Sequence, residues 1–167
     1  MVFKDVVAVV ERTFGKELAV VQDTTVFEVS GEEGGPRVRI LVQDEPERNV
    51  VLLSADLGEP PPEGRERLFQ TMLEANNLFS GTAGATLALD AASGRARLQA
   101  VETPDALAND VEGRLVPFVE TALVWARAIA DFRPAAAVEA EADADGGAGA
   151  GEGEGNLAGG GFGMMPV

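Results

Sequence analysis
A chain of 167 residues is long enough for one domain with its own core. It carries 28 acidic and 13 basic residues, a formal charge of −15, and no cysteine, histidine or tyrosine. Those absences exclude disulfides, Cys/His zinc sites, thiol nucleophiles and a Ser-His-Asp triad, and the arginines form no cluster of the kind that nucleic-acid phosphates require.

Acid–base chemistry is left to Asp, Glu and Lys4 or Lys16, so composition weighs against catalysis. The acidic surplus favours solubility and basic or unfolded protein partners. No apolar run is long enough to cross a bilayer. Lys4, Asp5, Glu11 and Arg12 interrupt "MVFKDVVAVVERTF" and break the apolar core a signal peptide needs, which predicts a cytosolic protein.

In chain order, Phe3, Val6, Val7, Val10 and Phe14 repeat at helical spacing and predict a helix over 2–14, stopped by Gly15. Val2 and Val9 widen its apolar arc beyond one core contact. "LAVV" (18–21) is a short strand signal. "TTVFEVS" (24–30), "RVRILVQ" (37–43) and "NVVLLSAD" (49–56) alternate, with polar connectors of hairpin length, and predict a three-stranded antiparallel meander. Leu41, Val50 and Leu52 lie off the main inward sets of their strands.

A proline run (60–62) closes that unit, with Pro62 expected in the first turn of a second helix ending near Asn77. Leu68, Met72, Ala75 and Phe79 form one stripe and Phe69 and Leu73 a second beside it. Two stripes predict two apolar neighbours: the helix's own sheet and a second subunit. "ATLALD" (85–90) and "RARLQAV" (95–101) predict a hairpin. Thr103-Pro104-Asp105 is a helix start, and the last helix carries apolar residues from Leu107 through Trp125 to Phe132, with a kink or break expected at Gly113 and Pro117. The whole is an α+β fold, in the order helix, three strands, helix, two strands, helix, with a twisted antiparallel sheet packed with helices.

Between the second helix and the hairpin lies "SGTAGAT" (80–86). A phosphate loop needs a lysine and runs from strand into helix; this segment has no lysine and runs from helix into strand. It reads as a corner, in which Gly81 and Gly84 permit positive φ or close approach. "DEPE" (44–47) lacks the ligand spacing and glycine of a calcium loop. No metal, cofactor or catalytic residue is expected.

A domain boundary falls near Pro134. Residues 1–133 hold 22 acidic and 13 basic residues; 134–167 hold six acidic residues, no basic ones, and ten of the twenty glycines. That composition cannot offset its ordering entropy by burial. Residues 139–156 form a tether with a reach of roughly 20–25 Å. The apolar end beyond it, with Leu157, Phe162, Met164 and Met165, is suited to return to a groove as a self-ligand.

The element order and the central "LEANNLFSGTAGATLALD" (73–90) resemble the class I type III secretion chaperones of the Tir chaperone family. The residues that carry the resemblance are Leu73, Glu74, Ala75, Asn76, Leu78, Phe79 and "GTAGATLALD". It covers about residues 1–133; the glycine-rich tail departs from the family pattern. The resemblance implies a homodimeric, ATP-independent chaperone that binds the non-globular N-terminal segment of a secreted effector and keeps it export-competent. It implies a dimer interface on the second helix, here Phe69 and Leu73, and client segments laid in apolar surface grooves or added as a strand to the sheet. The client site expected here joins the flank of the first helix to the nearby sheet, through Val2, Val9, Leu41, Val50 and Leu52. The alternatives are a regulatory or sensory protein-binding domain of similar fold without a secreted client, and an enzyme built on Asp or Glu.

Overall fold
The computed structural model describes residues 3–31 and 34–133, all within the first of the two units, Met1–Pro134, into which the chain divides. Val2 and the four apolar tail residues Leu157, Phe162, Met164 and Met165 lie outside the described residues.

Helix α1 (Phe3–Phe14) buries Phe3, Val6, Val7 and Val10. It ends as the glycine predicts: Gly15 takes φ +63°, and the Lys16 N–H donates to the Glu11 carbonyl at 3.1 Å, closing a Schellman cap. The Glu11 side chain then accepts from the Leu18 N–H at 2.8 Å. Strands β1 (Val20–Val21), β2 (Thr24–Ser30), β3 (Arg37–Glu45) and β4 (Val50–Gly58) follow. The meander therefore has a fourth, two-residue strand. It is joined to β2 by Gln22 and Asp23, both at positive φ (49° and 58°), as a two-residue primed turn demands. Gln-Asp is a weak signal for that turn, which is why the short strand signal at 18–21 was not joined to the predicted three-stranded meander.

Helix α2 (Arg65–Asn76) leads through a single 3-10 turn (Asn77–Phe79) to β5 (Thr86–Leu89) and β6 (Ala96–Glu102). The helix begins after the prolines, so Pro62 precedes its first turn. Leu68 and Met72 are buried, but Phe79 is 54% exposed and does not extend their stripe. The helix has ended by then, and Leu78 and Phe79 both take positive φ. The sheet is six-stranded and antiparallel in the order β1-β2-β3-β4-β6-β5.

The last helix is two. In α3 (Pro104–Asn109) Thr103 caps as expected, its hydroxyl accepting from the Ala106 N–H at 3.2 Å. The break before α4 (Val111–Ala130) falls at Asp110, not at Gly113 or Pro117. Asp110 accepts from the Gly113 N–H at 2.9 Å, a side-chain bond that starts a new helix. Its carboxylate fills the space a Cβ on Gly113 would need, so that glycine serves the cap. Pro117 lies inside α4.

One face of the sheet takes all the burial. Val38, Ile40 and Val42 of β3, Val51, Leu53 and Ala55 of β4 and Leu98 of β6 are at most 1% exposed. They pack in one core with α1, α3 and the Leu115–Phe118–Ala122–Ile129 face of α4.

The corner at 80–86 completes this core. Trp125 of α4 donates its indole N–H to the Gly81 carbonyl at 2.8 Å. The Gly81 N–H donates to the Ala75 carbonyl at 3.1 Å. A Cβ at Gly81 would stand 2.8 Å from Ala75 Cβ, while Gly84 supplies φ +88°. Gly81→Ala is therefore expected to destabilise the domain by about 1–3 kcal/mol through overpacking, read as a lowered urea midpoint with an unchanged slope.

Candidate functional site
The opposite face of the sheet has no helix packed across it among the described residues. Alternation puts Val26, Leu41, Leu52 and Val101 there. Val26 lies opposite Leu41, and Leu52 opposite Val101. Leu41 faces Ser54, two residues from Leu52, so those leucines are diagonal neighbours. The four form an oblique apolar line across β2, β3, β4 and β6. Val26 and Val101 are 46% and 59% exposed; Leu41 and Leu52 are half-buried. Between them stand Gln43, Ser54 and Gln99, neutral groups able to hydrogen-bond a backbone. Leu41 and Leu52 line an open groove of about 480 Å³ that ends at Ala88 and Leu89 of β5.

One end of this face is charged. Glu28, Arg39, Asp56 and Arg97 lie opposite one another in a row across β2, β3, β4 and β6. Arg95 forks onto Asp56, Nε lying 2.8 and 3.0 Å from its two carboxylate oxygens. Arg97 meets Asp90 at 3.1 Å. Signs alternate along the row, so it adds little net charge. What the face offers is an apolar line with neutral polar spacers, a surface for an extended polypeptide.

A second apolar patch sits where α2 meets β5. Phe69, Met72, Leu73, Leu87, Ala88 and Leu89 line it. Leu73 is 70% exposed and Leu89 43%; Phe69 is half-buried against the core. Ala88 and Leu89 belong to both surfaces, so the patch runs into the groove.

Of the residues singled out in the sequence, Leu41 and Leu52 come together and Phe69 and Leu73 come together. Val50 is on the open face, one step beyond Leu52, half-buried and opposite Glu45. Val9 does not join them: it is half-buried against the core, on the helical side of the sheet. Val26, Val101 and Leu89 were not singled out. The parity of "TTVFEVS" and "RARLQAV" marks Val26 and Val101 as off-face; Leu89 has the core parity of Leu87 and is exposed because β5 is an edge strand.

Among the described residues no group of three or more Asp and Glu could hold a metal ion, and no helix is long and apolar enough to cross a membrane.

Residues 32–125 match the Tir chaperone protein (CesT) family. The match spans more than half of the chain, and the chain belongs to that family. With it the protein belongs to the type III secretion chaperones, which bind effectors. Two solved structures similar to it are the ExsC–ExsE complex (18% identity, TM-score 0.55, covering 74% of this chain and 90% of that one) and the HopA1–SchA chaperone–effector complex (16%, 0.54, 74% and 92%). At these identities the likeness is one of fold. No curated protein matches the sequence.

Two carboxylates have displaced titrations. The Ala92 N–H, then Ser93 and Arg97, hold Asp90 below the usual 3.8, so its contribution is present above 3.8 and lost as pH falls through the lower folded value. Asp44 moves the other way: burial, then the charge of Asp23, raise it above 3.8. Backbone pairing holds those two acids together, Asp44 N–H to Asp23 carbonyl at 2.8 Å. Ionised Asp44 thus opposes folding at neutral pH, and stability rises as pH falls through its folded pKa. Asp44→Asn is expected to raise the urea midpoint at pH 7, with an advantage that shrinks as pH approaches 3.8. A variant whose advantage grows on acidification would contradict that sign.

Proposed function
We propose that this chaperone receives a non-globular effector segment on the open face of its sheet, along Val26, Leu41, Leu52 and Val101, and that the segment enters by adding a strand beside β2. The observation that carries the reading is the apolar diagonal left uncovered on a sheet whose other face holds the helices. Apolar side chains at alternate positions of an extended client match such a line, while Gln43, Ser54 and Gln99 satisfy backbone groups between them. Val50 extends the line at its β4 end. Hydrophobic burial and backbone pairing supply the affinity, so the cycle needs neither ATP nor a catalytic residue, and the protein works in the cytoplasm, before export. The chaperone domain we assign to residues 1–133, with 134–167 as an acidic tail.

The test is capture of a secreted protein from the native cells, with its protected segment mapped by limited proteolysis. The expected segment is the effector's N-terminal region. Leu41→Asp and Leu52→Asp together should weaken capture at least about tenfold, since each leucine buries roughly 1.5–3 kcal/mol of apolar surface. Their half-exposed positions leave the thermal midpoint nearly unchanged. Full binding by the double variant would move the client elsewhere.

We further propose a homodimer through the α2–β5 patch, with Phe69 and Leu73 at its interface. Leu73 is too exposed for a core residue and lies beside exposed Leu89. Light scattering should give twice the chain mass for the native protein and the chain mass for Leu73→Asp. A dimer unchanged by Leu73→Asp places the interface on another surface.

A further inference from the structure
The two edges of the sheet present their backbones differently. Beside β2, strand β1 pairs only with Thr24 and Thr25. The bond from the Asp44 N–H to the Asp23 carbonyl sets the phase of the β2–β3 ladder. It makes Thr24 and Gln43 a non-hydrogen-bonded pair, so Thr25, Phe27 and Val29 bond to β3. Thr24, Val26, Glu28 and Ser30 therefore turn their N–H and C=O groups away from β3. Thr24 meets β1, and the Val20–Thr25 pair carries that ladder on to Val26; no strand among the described residues meets Glu28 or Ser30.

At the other edge the outward groups at the start and middle of β5 are taken, and only those of Leu89, at its last residue, face away from β6 without a strand beside them among the described residues. The Ala85 N–H donates to the Thr82 carbonyl at 3.0 Å. The Leu87 N–H donates to Asn76 Oδ1 at 2.8 Å, and the Leu87 carbonyl accepts from Asn76 Nδ2 at 2.9 Å. That is the pair of bonds a neighbouring strand would make. A primary amide can make it because it carries a donor and an acceptor side by side, as a peptide group does. Asn76 is the last residue of α2, and the helix holds the amide against a strand of only four residues.

We propose that Asn76 is a positioning residue: its side chain closes the β5 edge to strand pairing, so that an extended client segment adds to the sheet at β2 alone. The proposal rests on the client-binding reading above. It also gives the client a path. A strand beside Glu28 and Ser30 continues the edge where β1 stops and presents alternate side chains to the open face next to Val26, where the apolar diagonal begins. An open β5 edge would draw the same segment to the far side of the groove; because a partner subunit on the α2–β5 patch would shield that edge, both traps below are read in the Leu73→Asp background, where the dimer proposed above is absent.

The chain has no cysteine, so single cysteines report each edge without interference. Glu28→Cys marks β2 and Thr86→Cys marks β5; both positions are exposed on the open face. The probe is a synthetic strand copying Arg37–Glu45, the native partner of β2, with a terminal cysteine. With Asn76 intact, a disulfide is expected with Glu28→Cys and not with Thr86→Cys. Adding Asn76→Ala should make Thr86→Cys trap the peptide. It should also lower hydrogen-exchange protection of the Leu87 amide by roughly two- to tenfold, with Leu98 in β6 still protected. Asn76→Asp, which keeps the acceptor for Leu87 and loses the donor, should trap less than Asn76→Ala; if the alanine variant does not fold, the aspartate variant decides by the same two readouts. Trapping at Thr86→Cys with Asn76 intact, or none after Asn76→Ala, overturns the proposal. Failure of Glu28→Cys alone sinks strand addition at β2, while the Leu87 and Thr86 readouts still decide whether Asn76 guards its edge.

Discussion

One-sided burial of a six-stranded sheet is the constraint on which the molecule depends. Side chains alternate with a period of two, so a strand that commits one set to the core presents the other to the opposite face. In β3 and β4 the committed sets are Val38, Ile40, Val42, Val51, Leu53, Ala55 and Leu57, each no more than 3% exposed. Helices α1, α3 and α4 complete that core. Register is then fixed, because a slip of one residue would turn the whole set outward. The outer face follows as a consequence, and its composition is free to serve something other than folding.

The charged row and the apolar diagonal divide that outer face by function. Glu28, Arg39, Asp56 and Arg97 alternate in sign across four strands, and Arg95 and Asp90 extend the pairing. Exposed pairs of this kind contribute little stability each. They keep that end polar and its net charge small. The acidic surplus of the chain lies elsewhere, so this row would not repel a client from the groove proposed for it.

The two sheet edges complete the same logic. An exposed edge is a template for unwanted pairing as well as for a client. At β5 the hazard is met by a side-chain amide and a tight corner. At β2 the backbone of Glu28 and Ser30 is left facing outward beyond β1, next to the exposed end of the apolar diagonal. The helix-to-strand corner thus carries two duties: through Gly81 it anchors Trp125 to the core, and through Asn76 just before it, it holds the edge strand.

Much of this was legible in the sequence. The 3.6-residue spacing of Phe3, Val6, Val10 and the alternation in β2, β3 and β4 specify local structure and which face goes inward, because both are properties of neighbouring residues. Thr103-Pro104 and Gly15 marked their helix ends because caps are local chemistry. The candidate leucines Leu41 and Leu52 were legible as off-face residues by parity alone. The break at Asp110 was not, since Gly113 and Pro117 are the stronger local signals and the capping carboxylate outweighed them. Tertiary structure decided what depends on distant partners. It set the order β4-β6-β5, which put Leu89 at an edge and Val101 beside Leu52, completing the oblique line from Val26 and Leu41. It also set Val9 apart from them, on the helical side of the sheet. No run of sequence encodes that a residue eleven positions before Leu87 will bond its backbone. That contact exists only once the helix and the strand have been brought together by the core they share.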